Sequence, residues 1–264
     1  MIVQLHQLAA ALYLAAGLAA GLGLALPLTR LLRVAVAILA VGALIHGFSF
    51  SLFHEATPPV PLTDHAAAVS LMAWIAVLFS IVLLARARLL ALTALVAPAG
   101  FLGTFFAALQ LAEPAPTGLA GSGSLPHAHV LLASAGLSLL GVAGLAGALF
   151  LVEHRRLKSK RPVRFSTPLP SLEALDRANR VALALGFPLL TLGVASGMLW
   201  FESSTGRFWT GSTHETWSAV AWMIYAVLVA ARFGTPQGSR RAAASAVCGF
   251  VFLFFAVIGV ELFA

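Results

Sequence analysis

Long apolar runs broken by short polar stretches organise this chain. Eight of them, at about 3–25, 31–53, 66–85, 89–111, 129–152, 181–201, 215–233 and 242–262, reach the roughly 20 residues that cross a bilayer core. Each run is continuous, so each is predicted to be a helix that satisfies its own backbone hydrogen bonds. The short alternating segments of a transmembrane barrel are missing from the pattern. Pro98 and Pro188 fall inside the fourth and sixth runs, where a lost N–H predicts a kink. Ala133, Gly136, Gly141, Gly144 and Gly147 give the fifth run a stripe suited to close helix contact. The expected fold is an all-α polytopic membrane bundle of eight transmembrane helices. It forms a single membrane domain over 1–264, with both termini on the outer face. The first run is too long and its start too poor in charge for a cleaved signal peptide, so it is read as a retained span.

Composition agrees. Of 264 residues, 9% are charged and 60% hydrophobic, against about 25% charged in an ordinary soluble domain. The mean hydropathy is +0.97. The net charge of +7 would suggest a nucleic-acid partner, but its distribution argues otherwise. Arg30, Arg33, Arg86, Arg88, Arg155, Arg156, Lys158, Lys160, Arg161, Arg164, Arg177, Arg180, Arg232, Arg240 and Arg241 all fall in or at the edge of the loops after runs one, three, five and seven. Only Arg207 falls in the other set of loops. The positive-inside rule makes the basic side cytoplasmic, and the expected location is a bacterial plasma membrane. No nucleic-acid role is expected.

The longest basic stretch, 153–180, contains Pro170-Ser171-Leu172-Glu173-Ala174-Leu175-Asp176. Ser171 reads as an N-cap with Glu173 in the first turn, and a short interfacial helix running into the sixth span is expected. Cys248 is the only cysteine, so neither a disulfide nor a thiolate metal site can be built.

The candidate chemistry lies opposite the basic charge. Seven of the eight histidines, His6, His46, His54, His65, His127, His129 and His214, fall there, and His154 does not. His46 lies about 10 Å inside the second span at 1.5 Å per residue. An ionisable group there is either functional or hydrogen-bonded to a neighbouring helix. His127 and His129, two residues apart, cannot share a helix face. His54, Glu55 and His65 bracket a proline-rich loop but show no metal-ligand spacing. Trp200, Trp209, Trp217 and Trp222 gather around one loop, between runs six and seven. Aromatic faces with imidazoles on the same side suit a flat apolar ligand that a histidine can ligate, and haem is such a ligand.

Three stretches carry a family resemblance. The 170–176 segment, then Gly186-Phe187-Pro188-Leu189-Leu190-Thr191-Leu192-Gly193, then Gly197-Met198-Leu199-Trp200, resemble the cytochrome c assembly membrane family. That group holds the haem-handling CcsA and CcmC proteins and the HemX-like and YpjD-like branch. His129 to Lys158, Trp222 to Arg232 and Gly249 to Val260 are similar to its later spans, so the resemblance covers about 125–264. It implies an external haem site on a tryptophan-rich motif, Trp-Ser-Trp-Asp-Pro-Lys-Glu-Thr-Trp. Here Trp209, Glu215, Thr216 and Trp217 are kept, and Gly211, Ser212, Thr213 and His214 replace the middle. A histidine that the family has near the end of span seven is Ala230 here.

The resemblance implies a haem-handling protein of c-type cytochrome assembly that binds or presents b-type haem at the outer face. His129 would ligate iron, with His46 or His214 as a second ligand. Trp209, Trp217 and Trp222 would pack on the ring beside Glu215. Its partners would be haem, the lipid bilayer, apocytochrome c and a CcsB-like assembly subunit. The alternative is a HemX-like regulator that contacts glutamyl-tRNA reductase through the basic 153–180 stretch. A small-molecule transporter is a more remote reading, since no internal repeat is evident. The residues support no hydrolytic site, and a haem chaperone or synthase component fits better than a stand-alone enzyme.

Overall fold

The computed structural model describes residues 1–26, 28–53, 55, 59–87, 89–111, 124–159 and 169–255, with the backbone alone for 85–87 and His214. His54, the basic run 160–164 and the end of the eighth span lie outside the described residues. Among the described residues all regular structure is helical. The helices are α1 (Ile2–Ala25), α2 (Thr29–Ser51), α3 (His65–Ala87), α4 (Thr93–Gln110), α5 (Ser124–Ser159), α6 (Leu172–Thr205), α7 (Thr213–Gly234) and α8 (Ser239–Phe254). A 3-10 turn, Leu90–Leu92, leads into α4. Seven of these are long and apolar enough to cross a membrane. The chain is a polytopic helical membrane protein.

Local signals set the helix ends. Leu26 turns extended at φ −100°, ψ 140°, as a residue before proline must. Asp64 Oδ1 accepts the Ala67 N–H at 3.1 Å and caps α3. Ser171 Oγ accepts the Ala174 N–H at 3.2 Å, as the sequence suggests. The expected interfacial helix running into the sixth span forms the first turns of one continuous helix of 34 residues, α6. Nothing between 172 and 188 breaks helix geometry, so the interfacial and spanning parts fuse.

The contacts divide into two compact units, one of 1–121 with 155–174, the other of 122–154 with 175–264. In the first, α1 packs on α2 and α4. Gly17 of α1 faces the Pro98 ring, where a Cβ would lie 3.0 Å from Cδ. Trp74 of α3 donates its indole N–H to the Ala43 carbonyl of α2 at 2.8 Å, over the space left by Gly47.

In the second unit the small-residue stripe of α5 does what its spacing predicts. Gly136 lies against the backbone of Leu190 on α6, and Gly144 against Phe250 on α8. Gly147 abuts the Ala243 carbonyl, 2.8 Å from where its Cβ would sit. Asp176 joins α6 to α7 through Arg232 at 2.7 Å, with Arg180 on its other oxygen at 2.9 Å. The Arg232 side chain is only 5% exposed, so breaking the pair strands a charge.

A methyl at Gly136 must collide with main chain that cannot rotate away. Gly136→Ala is therefore expected to destabilise the detergent-solubilised protein by about 1–3 kcal/mol, the usual cost of overpacking. Gly21→Ala, with nothing within 4 Å of the new carbon, should leave thermal unfolding unchanged or slightly improved.

Candidate functional site

The first unit encloses a polar cluster in an apolar core. His6 of α1, His46 of α2 and Ser70 of α3 are each 0% exposed, as is Tyr13 of α1. Ser70 Oγ lies 2.9 Å from His6 Nε2 and 2.7 Å from His46 Nε2. Tyr13 OH lies 3.2 Å from His46 Nδ1, and His6 Nδ1 lies 3.0 Å from the Ile2 carbonyl.

Proton bookkeeping fixes the direction of this chain when all four groups are neutral. A carbonyl can only accept, so His6 Nδ1 carries the hydrogen and His6 Nε2 accepts from the Ser70 hydroxyl. The Ser70 oxygen then accepts from His46 Nε2–H, and His46 Nδ1 accepts the Tyr13 hydroxyl hydrogen. Each hydrogen has one acceptor. Phe50 stacks on His46 with centroids 5.3 Å apart, and Phe53 stacks on His6 at 5.9 Å. His46 is thus hydrogen-bonded to neighbouring helices through both ring nitrogens.

Sequence reading singles out His46, counts His6 only among the histidines opposite the basic charge, and misses Tyr13 and Ser70. A signal was present, because His6 and Tyr13 are seven residues apart and share a face of α1. Nothing in one dimension points to Ser70.

In the second unit His129 is half-buried on α5 and its ring rests on α6. A Cβ on Gly197 would come within 2.7 Å of His129 Nδ1 and 2.8 Å of Cε1. His129 Nδ1 donates to the Gly193 carbonyl at 2.8 Å. The same oxygen takes the Ser196 hydroxyl at 2.9 Å. Nδ1 holding the hydrogen leaves the Nε2 lone pair free in the neutral ring. No other hydrogen bond reaches His129 among the described residues. Trp200 lies with its ring centroid 6.1 Å away, tilted by 40°. An imidazole fixed through Nδ1 with an open Nε2 is the usual preparation of a metal-ligating histidine.

The tryptophan loop has its own scaffold. Ser212 caps α7 by accepting the Glu215 N–H at 3.3 Å. The Glu215 carboxylate reaches back to the Thr210 N–H at 2.7 Å, the Thr210 hydroxyl at 2.7 Å and the Gly211 N–H at 2.9 Å. Ser212 and Glu215 hold the positions of a capping box, with the carboxylate reaching one and two residues before the cap. Gly206 and Gly211 have φ of 71° and 76°, which favours glycine at both.

The remaining candidates are spread out. Trp209 is 48% and Trp217 41% exposed, and Trp217 meets Phe252 of α8 at 5.8 Å. Trp222 donates to Thr191 Oγ1 at 3.0 Å and stacks on Phe187 at 6.0 Å, so it fastens α7 to α6. His214 lies in the first turn of α7, and its side chain is outside the described set. Glu215 holds the loop through its carboxylate. Trp200, Gly193 and Gly197 complete the surroundings of His129; the small-xxx-small spacing of the two glycines is the signal that could have found them.

The model of the cytochrome c assembly protein family matches residues 62–264. The chain belongs to that family. The match begins before α3, so this cytochrome c assembly family protein shares more with its relatives than the C-terminal half that carries the sequence resemblance. It is 29% identical over 177 residues to a cytochrome c biogenesis protein CcsA of Chlamydomonas reinhardtii, covering 65% of this chain and 48% of that one. Against CcsA of Guillardia theta it is 26% identical over 222 residues, covering 76% and 73%. Against CcsA of Prochlorococcus marinus it is 38% identical over 97 residues, covering 37% and 30%. The chain spans about half the length of the Chlamydomonas protein. His6, Tyr13 and His46 lie outside the family match, whereas His129, Gly193, Gly197 and the tryptophan loop lie inside it.

The buried cluster generates a prediction of its own. Ser70→Ala removes the hydroxyl that serves both imidazoles and leaves two ring nitrogens unsatisfied. The expected loss is on the order of 2–4 kcal/mol, from the cost of stranding buried polar groups. Chemical or thermal unfolding in detergent measures it. Ser80→Ala, whose hydroxyl bonds only the Ala76 carbonyl of its own helix, should lose far less.

Proposed function

We propose that this protein handles haem in c-type cytochrome assembly, binding the macrocycle at the outer face of a bacterial plasma membrane with both chain termini on that side. The observation that carries the reading is His129. Its Nδ1–H is committed to the Gly193 carbonyl at 2.8 Å, its ring is seated over Gly197, and its Nε2 is open. Membership in a family whose curated relatives are named for cytochrome c biogenesis points the same way. The residues fit the group: a neutral imidazole supplies an axial ligand, Trp200 adjoins it, and the exposed Trp209 and Trp217 offer faces to a flat ring. Bound haem would bring the vinyl groups across which an apocytochrome's cysteine thiols add to form thioethers; the protein's part is to hold and orient it.

In this reading His129 is the protein's iron ligand and His214 the candidate for a second. His46 is left out because both of its ring nitrogens are engaged. Apocytochrome c and a CcsB-like subunit would be the partners in transfer.

One observation favours a second reading. Gly211 stands at φ 76° where the family motif has a tryptophan, so part of the aromatic platform is absent. A HemX-like regulator of glutamyl-tRNA reductase need not pass haem on. Deleting the gene would then raise reductase abundance and leave cytochrome c maturation intact.

The assembly reading is tested by spectroscopy. Purified protein loaded with haem should show a Soret band. His129→Ala should lose it or shift it strongly. Gly197→Val should weaken haem binding by pushing the ring out of its seat. His46→Phe should leave the band unchanged in whatever fraction folds. A Soret band indifferent to His129→Ala would remove the ligand assignment.

A further inference from the structure

We propose that Arg207 recognises the carboxylates of the tetrapyrrole, which makes the tryptophan loop selective for a dicarboxylic porphyrin. This inference rests on the haem reading and assigns one more residue to the same site. The loops joining α2 to α3, α4 to α5 and α6 to α7 hold one Lys or Arg between them, and it is Arg207. It immediately precedes Phe208 and Trp209, which are 55% and 48% exposed.

The backbone that presents Arg207 is fixed. The Gly206 N–H bonds the Glu202 carbonyl at 2.8 Å. The Arg207 N–H bonds Thr205 Oγ1 at 3.3 Å. Three residues on, the Glu215 carboxylate holds the main chain of Thr210 and Gly211.

The guanidinium itself is exposed and makes no hydrogen bond or ion pair among the described residues. Two acids lie near it in sequence, yet neither neutralises it. Glu215 is occupied by the loop, and Glu202 makes no ion pair with it. A planar cation with no partner among the described residues, directly followed in the chain by the exposed Phe208 and Trp209, suits a ligand with an apolar face and acidic edge groups. A guanidinium forks onto a carboxylate through two parallel N–H bonds. Haem carries two propionates on one edge, so aromatic faces and an arginine divide its recognition between them.

The test separates this claim from iron ligation by leaving out iron. Full-length protein in neutral detergent is titrated with metal-free protoporphyrin IX, as the free diacid and as the dimethyl ester, and tryptophan quenching is followed. The diacid should bind wild type about tenfold more tightly than it binds Arg207→Gln, the size expected for one charge-assisted contact. The ester should bind both proteins alike, and Arg207→Lys should recover part of the diacid affinity. His129→Ala should lose the Soret band of haem yet keep metal-free diacid binding, so failure of the ligand assignment reads out separately. Equal weakening of diacid and ester in Arg207→Gln, or no weakening of either, would overturn the proposal. So would a wild type that binds neither porphyrin. An Arg207 effect seen only in nanodiscs containing anionic lipid, and absent in detergent, would assign the residue to lipid headgroups and refute it.

Discussion

A bilayer interior supplies no hydrogen-bond partners, so every polar group placed between these helices must find one inside the protein. The four-residue chain in the first unit meets that demand in full. Because the Ile2 carbonyl can only accept, one main-chain atom sets the tautomer of His6, and through Ser70 that of His46. Three helices are thereby tied by contacts that an apolar core could not specify. A relay that could reverse would need His6 Nδ1 to accept from a carbonyl, which is impossible. The cluster therefore reads as a fixed joint.

The second unit meets that demand in part, with different partners, and leaves Tyr225 OH and Asn179 Oδ1 buried without one among the described residues. Asn179 of α6 donates to the Ala143 carbonyl of α5 at 2.8 Å. Trp222 of α7 donates to Thr191 of α6, and Arg232 of α7 pairs with Asp176 of α6. His129 differs from these in one respect. Only one of its two nitrogens is used for cohesion, and the other is left available. That asymmetry between His46 and His129 separates a structural histidine from a candidate ligand, although both are polar residues set in apolar helices.

Much of this was legible in the sequence. Continuous hydropathy located the helices because a spanning segment has no other way to satisfy its backbone. Ser171 and the glycine stripe of α5 could be read because capping and close approach leave local marks. The joining of His6, His46 and Ser70 could not, since it depends on which faces three separate helices turn to one another. The interfacial segment runs into the sixth span as its cap and polarity pattern suggest, because polarity changes there while helix geometry does not. Glu215 was placed on the ligand by the motif and Trp222 by the tryptophan cluster, and geometry gives Glu215 a bond within its loop and Trp222 a bond to Thr191 of α6.

The altered tryptophan motif looks like decay when read as a string of letters. Its geometry argues for a rebuilt loop. Gly211 takes a left-handed conformation in which a tryptophan would be strained. Ser212 supplies the cap that opens α7, and the retained Glu215 ties both changes together through Thr210 and Gly211. Here each replacement at 211 and 212 takes up a role that the new backbone requires. The loop has given up one aromatic face and kept two, Trp209 and Trp217, on a support of hydrogen bonds.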